Sequence, residues 1–375
     1  MPGLYIHIPF CKQACHYCDF HFSTQLSGRD EMINAISQEI RLQKNYLQDR
    51  SLTSVYFGGG TPSLLSEPHL EQLFNCINEV FSPMPDCEIT LEANPDDITL
   101  ETSKLLLKWG INRLSIGVQS FDNQTLKFLN RAHDGTMAQL ALEKCRDAGF
   151  KNISIDLIYA IPNQDHALLE ENIHKALAFA PEHFSAYSLT IEPKTVFGNW
   201  ANKKKIIPVS EEFNATQFEI VSTRLIDAGY EHYEISNFSR PGFFSRHNSS
   251  YWTQAAYLGI GPSAHSYNTH TRQFNINNNA LYIKSIKLGQ VPFEVEVLTK
   301  ENKINEYVFT TLRTSMGCNL AKVKEDFDFD VLATHSKYIE NLVTNNLVVI
   351  DNHVLKLTFK GKLLADQIAL DLMVS

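Results

Sequence analysis

The chain of 375 residues is long enough for one large α/β domain and a smaller one, and its 43% hydrophobic, 20% charged composition is that of an ordinary globular protein. A net charge of −9 disfavours nonspecific binding to nucleic acid or acidic lipid, and no apolar run of about 18 residues marks a membrane-spanning helix or anchor. The opening MPGLYIHIPF lacks the basic stretch and cleavage site of a signal peptide. Seven cysteines, three of them crowded into Cys11–Cys18, read as a reducing, cytoplasmic compartment and a metal-type cluster rather than a disulfide framework.

In chain order, strands are predicted at Leu4–Pro9, Ser54–Phe57, Glu88–Glu92, Arg113–Val118, Asn152–Tyr159 and His183–Leu189. Helices are predicted between them at Glu31–Gln48, Pro68–Phe81, Leu100–Trp109, Met137–Ala148 and Ala167–Ala178. Ile33, Ile36, Ile40 and Tyr46 give the first helix an apolar stripe, Ser66 is a plausible N-cap, and Gly110 and Gly149 are helix stops. The strands read as consecutive apolar residues, the pattern of strands covered on both faces. Six βα units with right-handed crossovers make a parallel sheet that closes into a full or partial barrel.

Ile191–Ser210 reads as an irregular excursion in which Lys203–Lys205 is a solvated loop. A helix near Glu211–Ala228 and a strand near His232–Ile235 follow, and residues 236–295 resist assignment. From about Leu298 the pattern becomes helix, short helix, helix, a hairpin at VVIDNHVLKLT and a final helix, a small α+β, winged-helix-like module. Eight basic against ten acidic residues from Glu301 onward disfavour DNA binding by that module.

Strand C-termini carry the chemistry of a parallel barrel. Here they present Cys11, Cys15 and Cys18, then GGGTP (Gly58–Pro62), then Glu92 and Asn94, Gln119, Asp156, and finally Thr190 and Glu192. Three cysteines fit a structural zinc completed by His16 or His21, an iron–sulfur cubane with one open iron, or free thiols. The glycine triplet, which lets a ligand approach the backbone, favours the open iron.

Cys-x₃-Cys-x₂-Cys after strand one with GGGTP after strand two resembles the radical S-adenosylmethionine superfamily. YIHIPFC, YFGGGTPSLL, TLEANPDD, RLSIGVQSF, LNRAH and DLIYAIPNQ narrow the resemblance, over essentially the whole chain, to its coproporphyrinogen-oxidase-like branch. The resemblance implies a [4Fe–4S] cluster on Cys11, Cys15 and Cys18 and S-adenosylmethionine bound by Tyr5, Tyr17, Gly59, Gly60, Thr61, Glu92, Gln119, Arg131 and Asp156. It implies a partial (β/α)6 barrel over residues 1–235, a connecting region over 236–297 and an accessory domain over 298–375.

Within the branch, the oxygen-independent coproporphyrinogen III oxidases carry a fourth cysteine where this chain has Phe20, and a longer segment before the first cysteine. Both features are instead similar to the HemW heme chaperones. HNSSYW (His247–Trp252) resembles their heme motif, which implies His247 as an axial ligand with Tyr251 and Trp252 against the macrocycle, and leaves His265 as a weaker candidate. On chemistry alone, Asn248–Ser250 also reads as a turn around a structural histidine. The resemblance implies heme and apo-hemoproteins such as respiratory enzymes as partners and admits a homodimer; radical decarboxylation of coproporphyrinogen III is the alternative activity.

Overall fold

The computed structural model describes residues 2–374; Met1 and Ser375, the outer ends of the first and last expected segments, lie outside the described residues. Twelve strands form the main sheet: β1 (Gly3–Ile8), β2 (Ser51–Gly59), β3 (Ser82–Ala93), β4 (Arg113–Gln119), β5 (Ile153–Tyr159), β6 (His183–Ser188), β7 (Glu231–Glu234), β8 (Asn237–Ser239), β9 (Tyr257–Ile260), β10 (His265–Tyr267), β11 (Thr271–Asn275) and β12 (Phe293–Val297). Their order is β12-β11-β10-β9-β1-β2-β3-β4-β5-β6-β8-β7, with β1 to β6 mutually parallel and β9 added parallel to β1. The ends of all six central strands or their following loops line one cavity, so the sheet curves into the expected partial (β/α)6 barrel, a mixed α/β architecture.

The strands do not read as doubly covered. Leu4, Ile6 and Ile8 of β1, Leu114, Ile116 and Val118 of β4, and Ile153, Ile155 and Leu157 of β5 enter the core under the helices. The residues between them are Tyr5 and His7, Arg113 and Ser115, Ser154 and Asp156, and these point to the concave side. Register sets Tyr5, Tyr56, Thr90 and Arg113 in one row across β1–β4, and Glu92 in the next row beside Ser115 and Ser154. The alternation is hydrophobic-out and polar-in because the barrel interior is built to hold polar groups. The helices of the βα units cover the convex face.

The helices follow the predicted spans with one exception. The first ends at Leu42, not Gln48: the Gln43 N–H closes on the Glu39 carbonyl (2.9 Å), the Tyr46 N–H turns back onto the Gln43 carbonyl (2.9 Å), and Leu47 is buried. Ser66 opens the next helix in a capping box: its side chain accepts from the His69 backbone N–H, and its own N–H donates to His69 Nδ1 at 3.3 Å. The excursion after β6 contains a short helix, Val196–Asn202, capped by Thr195 (3.0 Å), and Lys203–Lys205 stand exposed after it.

The connecting region 236–297, in which residues 236–295 resist assignment from sequence, extends the sheet. It supplies β8 to β12 and the helices Arg246–Trp252 and Asn279–Lys287. Glu39, fully buried on the first helix, ties them in. Its carboxylate accepts from the Gly261 N–H (2.8 Å), from Asn275 Nδ2 (2.6 Å) and from the Tyr282 hydroxyl. From Ile304 a second core forms under a three-stranded sheet, β13 (Cys318–Asn319), β14 (Val348–Asp351) and β15 (Val354–Leu357), in the order β13-β15-β14. This small C-terminal domain meets the barrel beside β7: the Ile235 N–H donates to the Arg313 carbonyl (3.0 Å), and the Ser315 N–H to that of Tyr233 (2.9 Å).

Glu39→Ala takes the carboxylate from three buried donors, of which Asn275 Nδ2 keeps the Gly261 carbonyl (2.9 Å), and is expected to destabilise the protein by about 3 kcal/mol. Urea denaturation of the variant beside the parent measures this, and an unchanged midpoint would contradict the role given to Glu39.

Candidate functional site

A loop without regular structure carries the three cysteines from the end of β1. Its shape comes from the segment Phe128–Arg131. Gln13 Nε2 donates to Asn130 Oδ1 (2.8 Å), Asn130 Nδ2 donates to the Ala14 carbonyl (2.7 Å), and the His16 N–H donates to the Leu129 carbonyl (3.1 Å). His16 Nδ1 adds a bond to the Phe128 carbonyl (2.9 Å). Asn130 takes a left-handed backbone conformation (φ 57°), which asparagine tolerates better than most residues. The sequence reading named Arg131 in LNRAH and missed Asn130; its place in the same motif was the available signal.

Cys11, Cys15 and Cys18 share a cavity of about 440 Å³ with Gly59, Gly60, Thr61, Glu92, Asn94, Gln119, Arg131 and Asp156. Tyr17 lines it too, as do Gln13, Ser115, Tyr187 and Ser188, which the sequence reading did not assign. Phe20, 68% exposed, stands at the rim. Tyr5 is the exception among the expected ligands, because it does not line the cavity. It lies below the floor, its hydroxyl 3.2 Å from His7 Nδ1 and its ring stacked on Tyr56 (6.1 Å) and His247 (6.2 Å).

The glycines have a packing reason. At Gly59 (φ 102°) a Cβ would sit 2.5 Å from the His7 ring, and at Gly60 it would meet the Phe10 carbonyl at 2.6 Å. Both therefore let β2 close on the start of the cysteine loop while their backbones face the cavity.

Burial governs the ionisable groups. It pushes the Cys11 thiol up to about 11 and the Cys18 thiol up to about 12, so thiolates at these positions need a positive partner. Glu92 rises to about 7, first through burial and then through repulsion from Asp156; the Tyr56 hydroxyl (2.8 Å) and Gly59 N–H (3.1 Å) oppose the rise. Asp156 rises to about 6 through burial, opposed by Ser115 (3.1 Å). Two carboxylates so placed favour a cationic ligand with hydroxyl or amino donors.

Among the described residues, no three His, Cys, Asp or Glu side chains meet around a point where one metal ion could sit. His16 Nδ1 bonds the Phe128 carbonyl (2.9 Å) and His21 Nε2 lies 2.7 Å from Asn279 Oδ1, and neither ring joins the cysteines in such a group. A cubane asks instead for one sulfur at each of three corners and leaves its fourth iron to a small molecule, which suits three cysteines on the edge of a polar cavity.

HNSSYW is helical. The helix Arg246–Trp252 is capped by Ser245 (3.3 Å), and the Arg246 and His247 N–H groups donate to the buried Glu88 carboxylate at 3.0 and 3.1 Å. His247 is 1% exposed. Its Nδ1 meets Ser54 Oγ (2.9 Å) and its Nε2 meets the Tyr251 hydroxyl (2.9 Å), and burial followed by the nearby Arg113 charge lowers its pKa to about 3. Trp252 faces the C-terminal domain, with Arg313 5.9 Å from its ring. His265 is exposed at the start of β10, its ring 5.7 Å from Phe274. His247 and Tyr251 thus meet on the opposite side of the barrel floor from the cavity, and Trp252 turns toward the C-terminal domain.

Comparison with known proteins bears on all of this. The radical SAM superfamily model matches residues 5–176, and a HemN C-terminal domain model matches residues 298–364. A Bacillus subtilis protein named heme chaperone HemW is 37% identical over 98% of this chain and 98% of its own. The Lactococcus lactis protein of that name is 36% identical over 95% of this chain and 93% of its own. The solved structure of Escherichia coli coproporphyrinogen III oxidase superposes with a TM-score of 0.85 at 24% identity, covering 100% of this chain and 90% of that one, which shows a shared fold. Full-length identity well above 30%, on a barrel with three cysteines at its rim, places this chain in the HemW family of the radical S-adenosylmethionine superfamily.

Proposed function

We propose that the protein is a cytoplasmic heme chaperone that holds heme and passes it to apo-hemoproteins such as respiratory enzymes, with a [4Fe–4S] cluster on Cys11, Cys15 and Cys18 and S-adenosylmethionine in the adjoining cavity. The observation that carries the reading is full-length relationship to proteins named heme chaperone, in a chain with Phe20 where the oxidases carry a further cysteine. No helix among the described residues is long and apolar enough to cross a membrane.

When bound, the cluster supplies one electron and an open iron position to the sulfonium cofactor. The chain's own part is placement. Thr61 and Arg131 donate toward Cys11 and Cys15 at 3.4 and 3.3 Å, and Glu92 and Asp156 offer negative charge to the same cavity. Tyr17, Gly59, Gly60 and Gln119 line the space left for methionine, ribose and adenine.

For His247 to ligate iron axially, Nε2 must leave the Tyr251 hydroxyl and the helix must open from its place over Ser54. The heme reading therefore includes that opening. Tyr251→Phe removes the bond that competes with iron and keeps the ring. It is expected to tighten heme binding by about three- to tenfold, the worth of one hydrogen bond, in a Soret-band titration. His247→Ala is expected to abolish the axial-ligand spectrum and also to lower stability by about 2–4 kcal/mol without heme, since it empties a buried site. Heme binding with an unaltered spectrum would remove His247 as the ligand.

The deciding experiment incubates anaerobically reconstituted protein with coproporphyrinogen III and titrates the same sample with heme. Saturable heme binding without protoporphyrinogen formation is expected, and turnover would establish the oxidase instead.

The cavity carboxylates give a pH signature. Glu92 faces Tyr5, Tyr56, Tyr187, Asp156 and Arg113, and its pKa stands near 7 with that of Asp156 near 6. A cation favours their ionised forms, so S-adenosylmethionine affinity should rise several-fold from pH 5.5 to 7.5 and flatten above. Calorimetric titration across that range checks this, and a flat profile would place the cofactor's charge elsewhere.

A further inference from the structure

Arg131 does more than line the cavity. Nη2 donates to Asn94 Oδ1 at 2.6 Å and to the Gly117 carbonyl at 2.8 Å, while Nη1 donates to Cys15 Sγ at 3.3 Å and to the Tyr17 hydroxyl at 3.4 Å. Two protein acceptors fix one arm, so the other is aimed at sulfur by the fold itself and not by a bound cofactor. Nε is buried with no partner among the described residues. The remaining cysteines have weaker partners: the Thr61 hydroxyl lies 3.4 Å from Cys11 Sγ, and Cys18 takes a hydrogen bond from the Phe20 backbone. Asn94 Nδ2 donates to Thr61 Oγ1 at 3.1 Å, so one asparagine orients the donors of two different cysteines. The three sulfur positions are therefore electrostatically unequal, and only Cys15 has a full positive charge against it.

We propose that Arg131 is a positioning and charge partner of the cysteine-bound cluster, held against Cys15 by Asn94 and Gly117, and that it raises the cluster's reduction potential before any cofactor binds. The inference rests on the reading that Cys11, Cys15 and Cys18 hold a [4Fe–4S] cluster. On reduction one electron enters, no bond forms or breaks, and the cluster with its thiolates becomes one charge more negative. A guanidinium that is always protonated and partly buried stabilises that added charge, and hydrogen bonds to cluster sulfurs act in the same direction. Lysine supplies the charge without the planar fork that serves sulfur and asparagine together.

The test is an anaerobic potentiometric titration of the full-length, reconstituted protein without S-adenosylmethionine or heme, read by the electron paramagnetic resonance of the reduced cluster, with mediators and dithionite as the electron source. Arg131→Gln is expected to lower the reduced-to-oxidised ratio at a fixed potential by about tenfold, equivalent to ~59 mV for one electron. Arg131→Lys should lower it by about threefold. Superimposable curves for the parent and Arg131→Gln, with iron and sulfide content unchanged, would overturn the proposal and leave Arg131 as a cofactor ligand only. If Arg131→Gln holds no cluster, Asn94→Asp decides: a carboxylate on the other arm offsets the charge, and the ratio should fall several-fold, while an unchanged ratio overturns the proposal. A parent protein that takes up no iron or sulfide defeats the cluster reading itself, which is a separate outcome.

Discussion

The site depends on the grip of Phe128–Arg131 on the loop that follows β1. That loop makes few bonds within itself, so its shape is borrowed. Asn130 bonds it from both sides, through Gln13 and Ala14, while the Leu129 carbonyl holds the His16 backbone N–H and the Phe128 carbonyl its Nδ1. The donors and acceptors are backbone groups or short amides, whose directions are fixed by one left-handed residue. Remove the grip and the three thiols become neighbours in sequence only. The same segment carries the guanidinium that faces Cys15, so positioning of the loop and its electrostatics come from four consecutive residues.

A second constraint is the cost of the barrel's polar interior. Glu88, Glu92, Asp156, His183 and Arg113 all sit in or under the floor, and an isolated charge there would be prohibitive. The structure offsets this by sharing. Glu88 spends its oxygens on the two leading amides of the helix Arg246–Trp252, and Glu92 spends its own on Tyr56 and Gly59. Ser154 bonds His183 Nδ1 (2.8 Å), whose other nitrogen meets the Tyr233 hydroxyl (2.7 Å). Arg113, 1% exposed, keeps Nε and Nη1 without hydrogen-bond partners among the described residues and acts through its field, depressing the basicity of both His183 and His247. Both histidines are held neutral first by burial and then by the Arg113 charge.

These features explain what the sequence made legible. The six βα units and their rim residues could be read because each strand end breaks its apolar run with residues of another kind: Gly58–Gly60, Glu92, Gln119. The two-faced character of the strands was hidden because RLSIGVQ and ISIDLIY place Ser, Gly and Ile158 on the concave side, where small or apolar residues mask the alternation. Residues 236–295 escaped because their organising contact, Glu39 with Gly261, Asn275 and Tyr282, spans more than 200 positions and follows no local period. The burial of His247 was equally remote, since Gly3, Ser54, Tyr5 and Tyr56 form its pocket.

That pocket makes the cavity and the heme motif two sides of one floor. Tyr56 spans it: the hydroxyl bonds Glu92 at the cavity, and the ring stacks on His247 with centroids 5.0 Å apart. Tyr56 is buried and its phenol is held well above its ordinary pKa by burial and by Glu92, so it remains a donor to that carboxylate throughout the physiological range. A buried ring between two fixed partners has little freedom to move for one of them alone. Withdrawal of His247 toward heme removes one face of Tyr56's packing, and a changed charge on Glu92 alters the bond at its other end. The two functions expected of this family therefore meet at a tyrosine that belongs to neither the cysteine motif nor the heme motif.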